Sequence, residues 1–182
     1  MPFGAHEAME VHEVLNEKIC MIDHFAVCAE QCSDDALREM IRRHRAHAIR
    51  SYNELVTYTH DTVAAVPMEV QFSQVASPNS IHYGLNNPPE VAPMGFTRGG
   101  QMYDEHIARS VLLCHKNSAK NQMNASLECA DPYVRQMLLN GANTCNYQAY
   151  EVFEWMNTRN YYPVPTLNDH TAKTFLHTYQ TR

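Results

Sequence analysis

The sequence predicts an all-α fold, a four-helix bundle built from two similar helical hairpins and a long crossover loop. Three observations support this prediction. Apolar residues recur at steps of three and four along four segments. The phrase "CAEQCSDDALREM" at 28–40 returns as "ASLECADPYVRQM" at 125–137. Residues 63–102 hold five of the nine prolines and four of the six glycines. With 182 residues and 45% hydrophobic content, one domain over 1–182 is expected.

The first hairpin is predicted over residues 7–62. Its first helix carries one apolar face at helical spacing, formed by Val11, Leu15, Ile19, Ile22, Ala26 and Ala29. Oxygen-bearing side chains then follow at Ser33-Asp34-Asp35, and they are typical of a new helix start. The second helix is expected to run to about Thr62. Its core face is predicted to comprise Leu37, Met40, Ile41, His44, Ala48, Ser51 and Leu55.

The second hairpin is predicted over residues 103–160. A third helix runs from about Tyr103 to Ala130. Asp131-Pro132 then supplies a capping carboxylate followed by a proline at the first helical position, which is a strong helix start. The fourth helix is expected to end near Asn160, with Val134, Met137, Leu138, Gly141, Cys145, Val152 and Trp155 facing the core.

The segment between the hairpins, residues 63–102, is predicted to be a crossover loop. Each helix is on the order of 40 Å long at 1.5 Å per residue. If the hairpins pack by a pseudo-twofold axis, the second and third helices run parallel, and the chain must return along the bundle. Four helices with one long crossover form the ferritin-like arrangement. The tail over residues 161–182 is predicted to be extended.

A di-iron site is not expected in this bundle. Such sites use a Glu from each of two helices and Glu-x-x-His from each of the other two. Residues 131–160 contain no histidine, and Glu151-x-x-Glu154 is the nearest phrase. Glu39 and His44 of the second helix lie five positions apart, on different faces. We therefore assign no catalytic, cofactor-binding or metal-binding residues from the sequence.

A polar layer is nevertheless predicted in the middle of the bundle. His44 lies on the apolar face of the second helix, and the repeat alignment places His115 and Lys116 at the same level. Three alternatives are open. The layer could be hydrogen-bonded through Gln148, Asn117 or water; it could hold a single metal ion; or a cavity beside Gly141 could bind a small molecule. The first is favoured.

The outer faces suggest self-association. Cys20 lies opposite the predicted apolar face, which makes it the best candidate for an intermolecular disulfide, with Cys28 next. Five arginines, Arg38, Arg42, Arg43, Arg45 and Arg50, are interpreted as a salt-bridged surface. The net charge of −6 argues against a nucleic-acid partner. No run of 18 apolar residues exists, and "MPFGAHEAMEVHE" shows no signal-peptide pattern.

The stretch "LLCHKNSAKNQMNASLECADPYVRQMLLNGANTCNYQAYEVFEWMNTRNYYPVP" at 112–165 resembles the spore coat protein F family of endospore-forming Firmicutes. The family shows a spaced Lys, Glu and aliphatic-Arg rhythm, an aromatic helix and a closing Tyr-Pro-Val. The matching residues are Lys116 or Lys120, Glu128, Val134-Arg135 and Tyr162-Pro163-Val164. Residues 7–62 look like a divergent copy of the same unit.

The resemblance implies a ferritin-like bundle placed in the spore coat, with no established enzymatic activity or cofactor. It also implies synthesis in the reducing mother-cell cytoplasm, followed by exposure in a shell where thiols can oxidise. We therefore predict a structural coat protein that self-associates or docks with other coat proteins, with no nucleic-acid or membrane partner. The alternative is a ferritin-like metal-binding or oxidase protein that uses the mid-bundle His and Cys side chains.

Overall fold

The computed structural model describes residues 3–60, 80–84 and 102–181. Its helices are α1 (Ala5–Gln31), α2 (Asp35–His60), α3 (Asp104–Glu128), α4 (Pro132–Thr158) and α5 (Asp169–Leu176). Within the described ranges there is no strand, and a single bridge joins Tyr83 to Val164. Most of the predicted crossover loop falls at 61–79 and 85–101, outside the described residues. The all-α prediction is confirmed.

The four long helices pack side by side. α1 packs against α2 and α3, and α4 packs against the same two helices, whereas α1 and α4 are not neighbours along their lengths. α1 and α3 run antiparallel, because Asn121 lies beside Glu17 while Asp104 lies beside the end of α1 at Ser33. The α1–α3 pair and the α2–α4 pair therefore form opposite sides of the protein. No described helix is long and apolar enough to cross a membrane.

The buried face of α1 differs from the predicted one. Ile19 is 45% exposed, and Leu15 is only half-buried. The buried line consists of Val11, Val14, Lys18, Met21, Phe25 and Cys28. Val11 and Ala29 are buried as predicted. The middle of the predicted face was wrong because the most apolar side chains were assigned to the core, whereas Lys18 occupies the middle of the true face. The predicted core faces of α2 and α4 are confirmed, with Ser51 half-buried.

Both predicted carboxylate caps are confirmed. The Asp34 Oδ1 accepts a hydrogen bond of 2.8 Å from the backbone N–H of Leu37 at the start of α2. Asp131 does the same for α4, accepting from the backbone N–H of Tyr133 at 2.8 Å. Each cap satisfies a backbone donor that the first turn of a helix leaves unpaired.

Each turn is also held by the first helix of the other hairpin. Asp104, the first residue of α3, accepts hydrogen bonds from the backbone N–H groups of Ser33 at 2.8 Å and Asp34 at 3.0 Å. Glu7, near the start of α1, accepts from the backbone N–H of Asp131 at 2.9 Å. The Glu7 side chain is only 3% exposed, so this contact is shielded from water. Ionised acceptors make stronger hydrogen bonds than neutral ones, and these contacts tie the two hairpins together.

The sequence predicted an extended tail over residues 161–182, but the structure shows a short helix within it. Residues 169–176 form α5 because the Asn168 side chain accepts from the backbone N–H of His170, and Lys173 pairs with Asp169 one turn away. This helix buries none of its residues. Upstream of it, Asn157 fixes the chain by accepting from the backbone N–H of His82 and donating to the carbonyl of Tyr162.

Gly141 provides a test of the core packing. A Cβ added there would lie 1.9 Å from the Oε1 of Gln122, whose side chain is fully buried. We predict that Gly141→Ala lowers the free energy of unfolding by about 1–3 kcal/mol, because the overlap outweighs the better helix propensity of alanine. Urea unfolding of the variant measures this change.

The control is the same substitution in a Gln122→Ala background. There the space is free, so Gly141→Ala should stabilise the protein by up to about 1 kcal/mol. Equal destabilisation in both backgrounds would show that Gln122 is not the group that excludes a side chain at position 141.

Candidate functional site

A chain of hydrogen-bonded side chains crosses the middle of the protein. The Nε2 of His115 on α3 lies 3.0 Å from the Nδ1 of His44 on α2. The Nε2 of His44 lies 3.0 Å from the Oε2 of Glu151 on α4. Arg43 contacts the other carboxylate oxygen of Glu151 at the surface. His115 is 0% exposed and His44 is 1% exposed, so the chain leads from a surface ion pair to the interior.

The electrostatics fix the direction of the hydrogen bonds. Burial lowers the pKa of His44 and places the pKa of His115 well below its ordinary value, so both imidazoles are neutral at neutral pH. The hydrogen bond from His44 lowers the pKa of Glu151, which is therefore ionised. A carboxylate only accepts, so His44 donates from Nε2 and accepts at Nδ1. His115 must then donate from its own Nε2.

This arrangement leaves one lone pair without a partner. The Nδ1 of His115 is buried and has no hydrogen-bond partner among the described residues. A neutral histidine that donates from Nε2 carries no proton on Nδ1, so the unpaired atom is an acceptor. The ring itself is packed against Phe25, with the two ring centroids 5.0 Å apart.

The predicted polar layer is confirmed for His44 and His115 but not for Lys116. The Lys116 side chain lies outside, where its Nζ is 3.3 Å from the Tyr162 hydroxyl and stacks over the same ring. The error has the same origin as the one on α1. Lys116 corresponds to Ile19 in the repeat, and both residues are exposed, whereas His115 corresponds to the buried Lys18.

Lys18 forms a second buried polar site. Its Nζ donates to the hydroxyl of Ser51 at 2.9 Å, and the side chain is 5% exposed. Burial lowers the pKa of Lys18, opposed by the charge effects of Cys145 and of the carboxylates Glu17 and Glu54. Glu54 stands 97 positions before Glu151, as Lys18 stands 97 before His115. Each of the two sites therefore has a buried base close to a carboxylate at the same pair of aligned positions.

Glu151 and Lys18 were not predicted as members of these sites, and Gln148, Asn117 or water was expected to bind the histidines. The repeat alignment contained the signal, since Glu54 and Glu151 align as Lys18 and His115 do. The predicted cavity beside Gly141 is also wrong. The buried amide of Gln122 fills that space and donates to the hydroxyl of Ser118 at 3.0 Å.

The donor set does not suit a metal ion. Both ring nitrogens of His44 are engaged in hydrogen bonds, and both carboxylate oxygens of Glu151 are bound by His44 and Arg43. Among these side chains, only the Nδ1 of His115 has a lone pair that is free to bind a metal ion. The parts of the chain that the structure describes contain no group of three or more His, Cys, Asp and Glu side chains suited to metal binding.

The six cysteines are all free thiols, and Cys20 is the exposed one. Cys28, the second cross-link candidate from the sequence, is 1% exposed, so that prediction was wrong. It belongs to the buried line that the sequence pattern misplaced. Burial raises the pKa of Cys32 and of Cys114 to about 12 and that of Cys129 to about 11, and it raises the pKa of Cys28 and Cys145 as well. These five thiols are poor nucleophiles at neutral pH.

The comparisons with known proteins agree with the resemblance found in the sequence. Residues 103–165 match the Coat F domain family. Over 165 residues the chain is 26% identical to the spore coat protein F-like protein YhcQ of Bacillus subtilis (strain 168), covering 91% of this chain and 75% of that protein. No solved structure matches significantly. The family match covers α3, α4 and the Tyr-Pro-Val segment, and the resemblance to the spore coat protein F family is confirmed.

We predict that His115 makes the protein less stable in mild acid. Its pKa is lower in the folded state than in the unfolded chain, where it is about 6.5. The unfolded chain therefore binds protons that the folded protein does not, and stability falls as the pH drops below about 6.5. Each such group contributes at most about 1.4 kcal/mol per pH unit.

His115→Gln is the test variant, because glutamine can donate to His44 but does not titrate. Urea unfolding between pH 7.5 and pH 5.5 should show a smaller loss of stability for the variant than for the unchanged protein. Parallel curves across this range would mean that His115 is protonated as easily in the folded state as in the unfolded chain.

We also predict that one thiol reacts quickly with an aromatic disulfide reagent under native conditions. Cys20 is exposed, whereas the pKa of each of the other five thiols is raised by burial. Cys20→Ser should abolish the fast phase, and Cys129→Ser should leave it unchanged. A fast phase that persists in Cys20→Ser would assign the reactive thiol to another position.

Proposed function

We propose that this chain is a structural component of the spore coat, without catalytic activity, that associates with itself and with other coat proteins. The match of residues 103–165 to the Coat F domain carries the proposal. The similarity to a spore coat protein F-like protein over 91% of the chain supports it. The implied route is synthesis in the mother-cell cytoplasm, followed by deposition in the coat. No nucleic-acid or membrane partner and no cofactor are proposed.

We infer that the scaffold is a ferritin-like four-helix bundle made of two copies of one hairpin. The contact between Asp34 and Asp104 supports this inference. Adding 97 to the first position and subtracting 97 from the second gives Asp131 and Glu7, which make the corresponding contact. A pair of contacts related in this way is what a pseudo-twofold axis between two copies produces. The order of neighbouring helices is also that of a bundle.

The interior supports a structural role over a catalytic one. His44 and His115 are almost completely shielded from solvent, so a substrate could reach them only if the helices separated. The thiols of Cys28, Cys32, Cys114, Cys129 and Cys145 have raised pKa values and are largely withdrawn from the surface. Arg43 and His44 bind the two carboxylate oxygens of Glu151, so this carboxylate is not available as a metal ligand. The metal-binding alternative is therefore not favoured.

Cys20 is proposed as the covalent link between molecules. It lies on the outer side of α1, and the other five cysteines are buried or half-buried. The thiol would stay reduced in the mother cell and form a disulfide after deposition, when the shell meets an oxidising environment. Such a bond would join copies of this chain or join the chain to another coat protein.

The proposal predicts where the protein is found in a spore-forming host. An epitope-tagged chain should be extracted with the coat fraction of purified spores and be absent from the core lysate. On gels without reductant it should run partly as a covalent dimer or as a covalent complex with another coat protein, and Cys20→Ser should remove these species while Cys129→Ser should not. Recovery of the tagged chain from the core lysate alone would contradict a coat function.

A further inference from the structure

A groove rich in carboxylates runs along the α1–α3 side of the protein. It has a volume of about 620 Å³. Glu10, Glu13 and Glu17 line it from α1, and Asn117, Asn121 and Asn124 line it from α3. No lysine or arginine is among its lining residues. These lining residues define the acidic groove.

A hydrogen bond links the two walls of the acidic groove. The amide of Asn121 donates to Glu17 at 3.3 Å, which links the two helices without neutralising the carboxylate. Burial raises the pKa of Glu17, opposed by the hydrogen bond from Asn121, so a cation docked there would meet an incompletely hydrated carboxylate. Amide side chains on the opposite wall offer further oxygen acceptors. The groove is therefore chemically suited to guanidinium or ammonium groups presented by another protein surface.

A row of basic side chains lies on the opposite side of the protein, along α2 where it packs against α4. This arginine line consists of Arg43, His47 and Arg50. His47 lies four residues after Arg43 and three before Arg50, so the three side chains share one face of α2. Burial lowers the pKa of His47, and the charges of Arg50 and Arg43 lower it further. Arg50 is exposed and makes no ion pair among the described residues. Arg43 remains half exposed although it pairs with Glu151.

The spacing of the two surfaces corresponds. Glu10 and Glu17 are seven residues apart on α1, and Arg43 and Arg50 are seven residues apart on α2. Seven residues span about 10 Å along a helix, and residues at this spacing share one face. Two helices laid side by side can therefore bring both pairs of opposite charges together at once.

We propose that the acidic groove of one molecule binds the arginine line of a second copy of this chain. The charge complementarity and the matched spacing carry the proposal, which rests on the proposed coat function and names the surfaces of its self-association. Because the two surfaces are different and lie on opposite sides, the contact is heterologous. Heterologous contacts leave a free groove at one end and a free arginine line at the other, so assembly continues into open arrays or rings.

This interface also places Cys20 at its edge. Cys20 follows Glu17 by three residues on α1, less than one helical turn from the groove, and its side chain is exposed. Neighbouring molecules in an array would therefore carry their thiols at a repeated distance. Because the neighbour presents its α2–α4 side at this contact, its own Cys20 lies on the far side, and a disulfide from Cys20 would join the array to another array or to another coat protein.

The test uses two full-length variants that each damage one surface. Glu10→Lys with Glu13→Lys reverses the charge of the groove, and Arg50→Glu reverses the charge of the line while leaving Arg43 with Glu151. Matched controls change the same number of charges elsewhere, with Asp23→Lys and Glu30→Lys together on α1 and Arg135→Glu on α4. Every substituted position except Glu10 is exposed, and circular dichroism checks that each variant is folded.

Sedimentation velocity under reducing conditions at about 20 mM salt should show concentration-dependent assembly of the unchanged protein, and about 300 mM salt should weaken it. Each surface variant alone should assemble at least about tenfold more weakly, while the controls assemble normally. A one-to-one mixture of the two surface variants should form a dimer, because one intact groove can still meet one intact arginine line. If Arg50→Glu is unfolded, Arg50→Gln takes its place with the same expectation.

An unchanged protein that stays monomeric at every concentration would overturn the interface, as would assembly that neither surface variant weakens. If the control variants lose assembly to the same extent, the effect comes from net charge alone, and the proposed interface is also overturned. These outcomes are separate from a failure of the coat function, which is read from spore fractions. A coat protein that assembles through other surfaces would pass that test and fail this one.

Discussion

The structure depends on the two crossed contacts in which the first helix of each hairpin binds the turn of the other. Asp104 accepts from the backbone of Ser33 and Asp34, and Glu7 accepts from the backbone of Asp131. Asp34 and Asp131 are also the residues that cap α2 and α4. The same short turns therefore start two helices and set how far one hairpin slides along the other. A shift by one turn would separate the backbone donors from both carboxylates.

That register brings the mid-protein polar side chains to the same level. His115 and Lys18 occupy aligned positions in α3 and α1. Each is associated with a carboxylate from the second helix of its own hairpin, His115 with Glu151 through His44 and Lys18 with Glu54 through its charge. At the first site, His44 and Arg43 bind the two oxygens of Glu151. At the second, Ser51 binds Lys18, and the Gln122 amide occupies the space over Gly141.

Much of the fold could be predicted from the sequence because its determinants are local. Asp34 and Asp131-Pro132 mark helix starts through hydrogen bonds within one turn, and α2 and α4 bury the faces that their apolar residues indicate. Local determinants could not predict which side of α1 faces the core. Lys18 is buried because Ser51, Cys145 and Glu54 come to it from other helices, and such partners are invisible to a pattern along one helix. The short helix α5 depends on the cap from Asn168. It was not predicted because Pro163 and Pro165 indicated an extended tail.

The residues of the candidate site also divide into those that the sequence predicted and those that it did not. His44 was found because a polar residue on an apolar face stands out, and His115 followed from the repeat. Glu151 was missed because, within α4, it looks like an ordinary solvent-facing carboxylate, and only the pairing of α2 with α4 gives it a partner. The exposed position of Cys20 is confirmed because both the predicted and the observed buried face of α1 leave it outside.

The two buried histidines are engaged by hydrogen bonds within the protein, and on this ground we propose that the protein acts as a scaffold. The most direct measurement is elemental analysis of untagged protein purified aerobically without chelator, together with a sample incubated with iron, manganese, copper and zinc salts and then desalted. The account predicts every transition metal well below one equivalent per chain in both samples. A stoichiometric metal that His44→Ala or His115→Ala removes would contradict it and would show that the buried histidines exchange their hydrogen bonds for a ligand role.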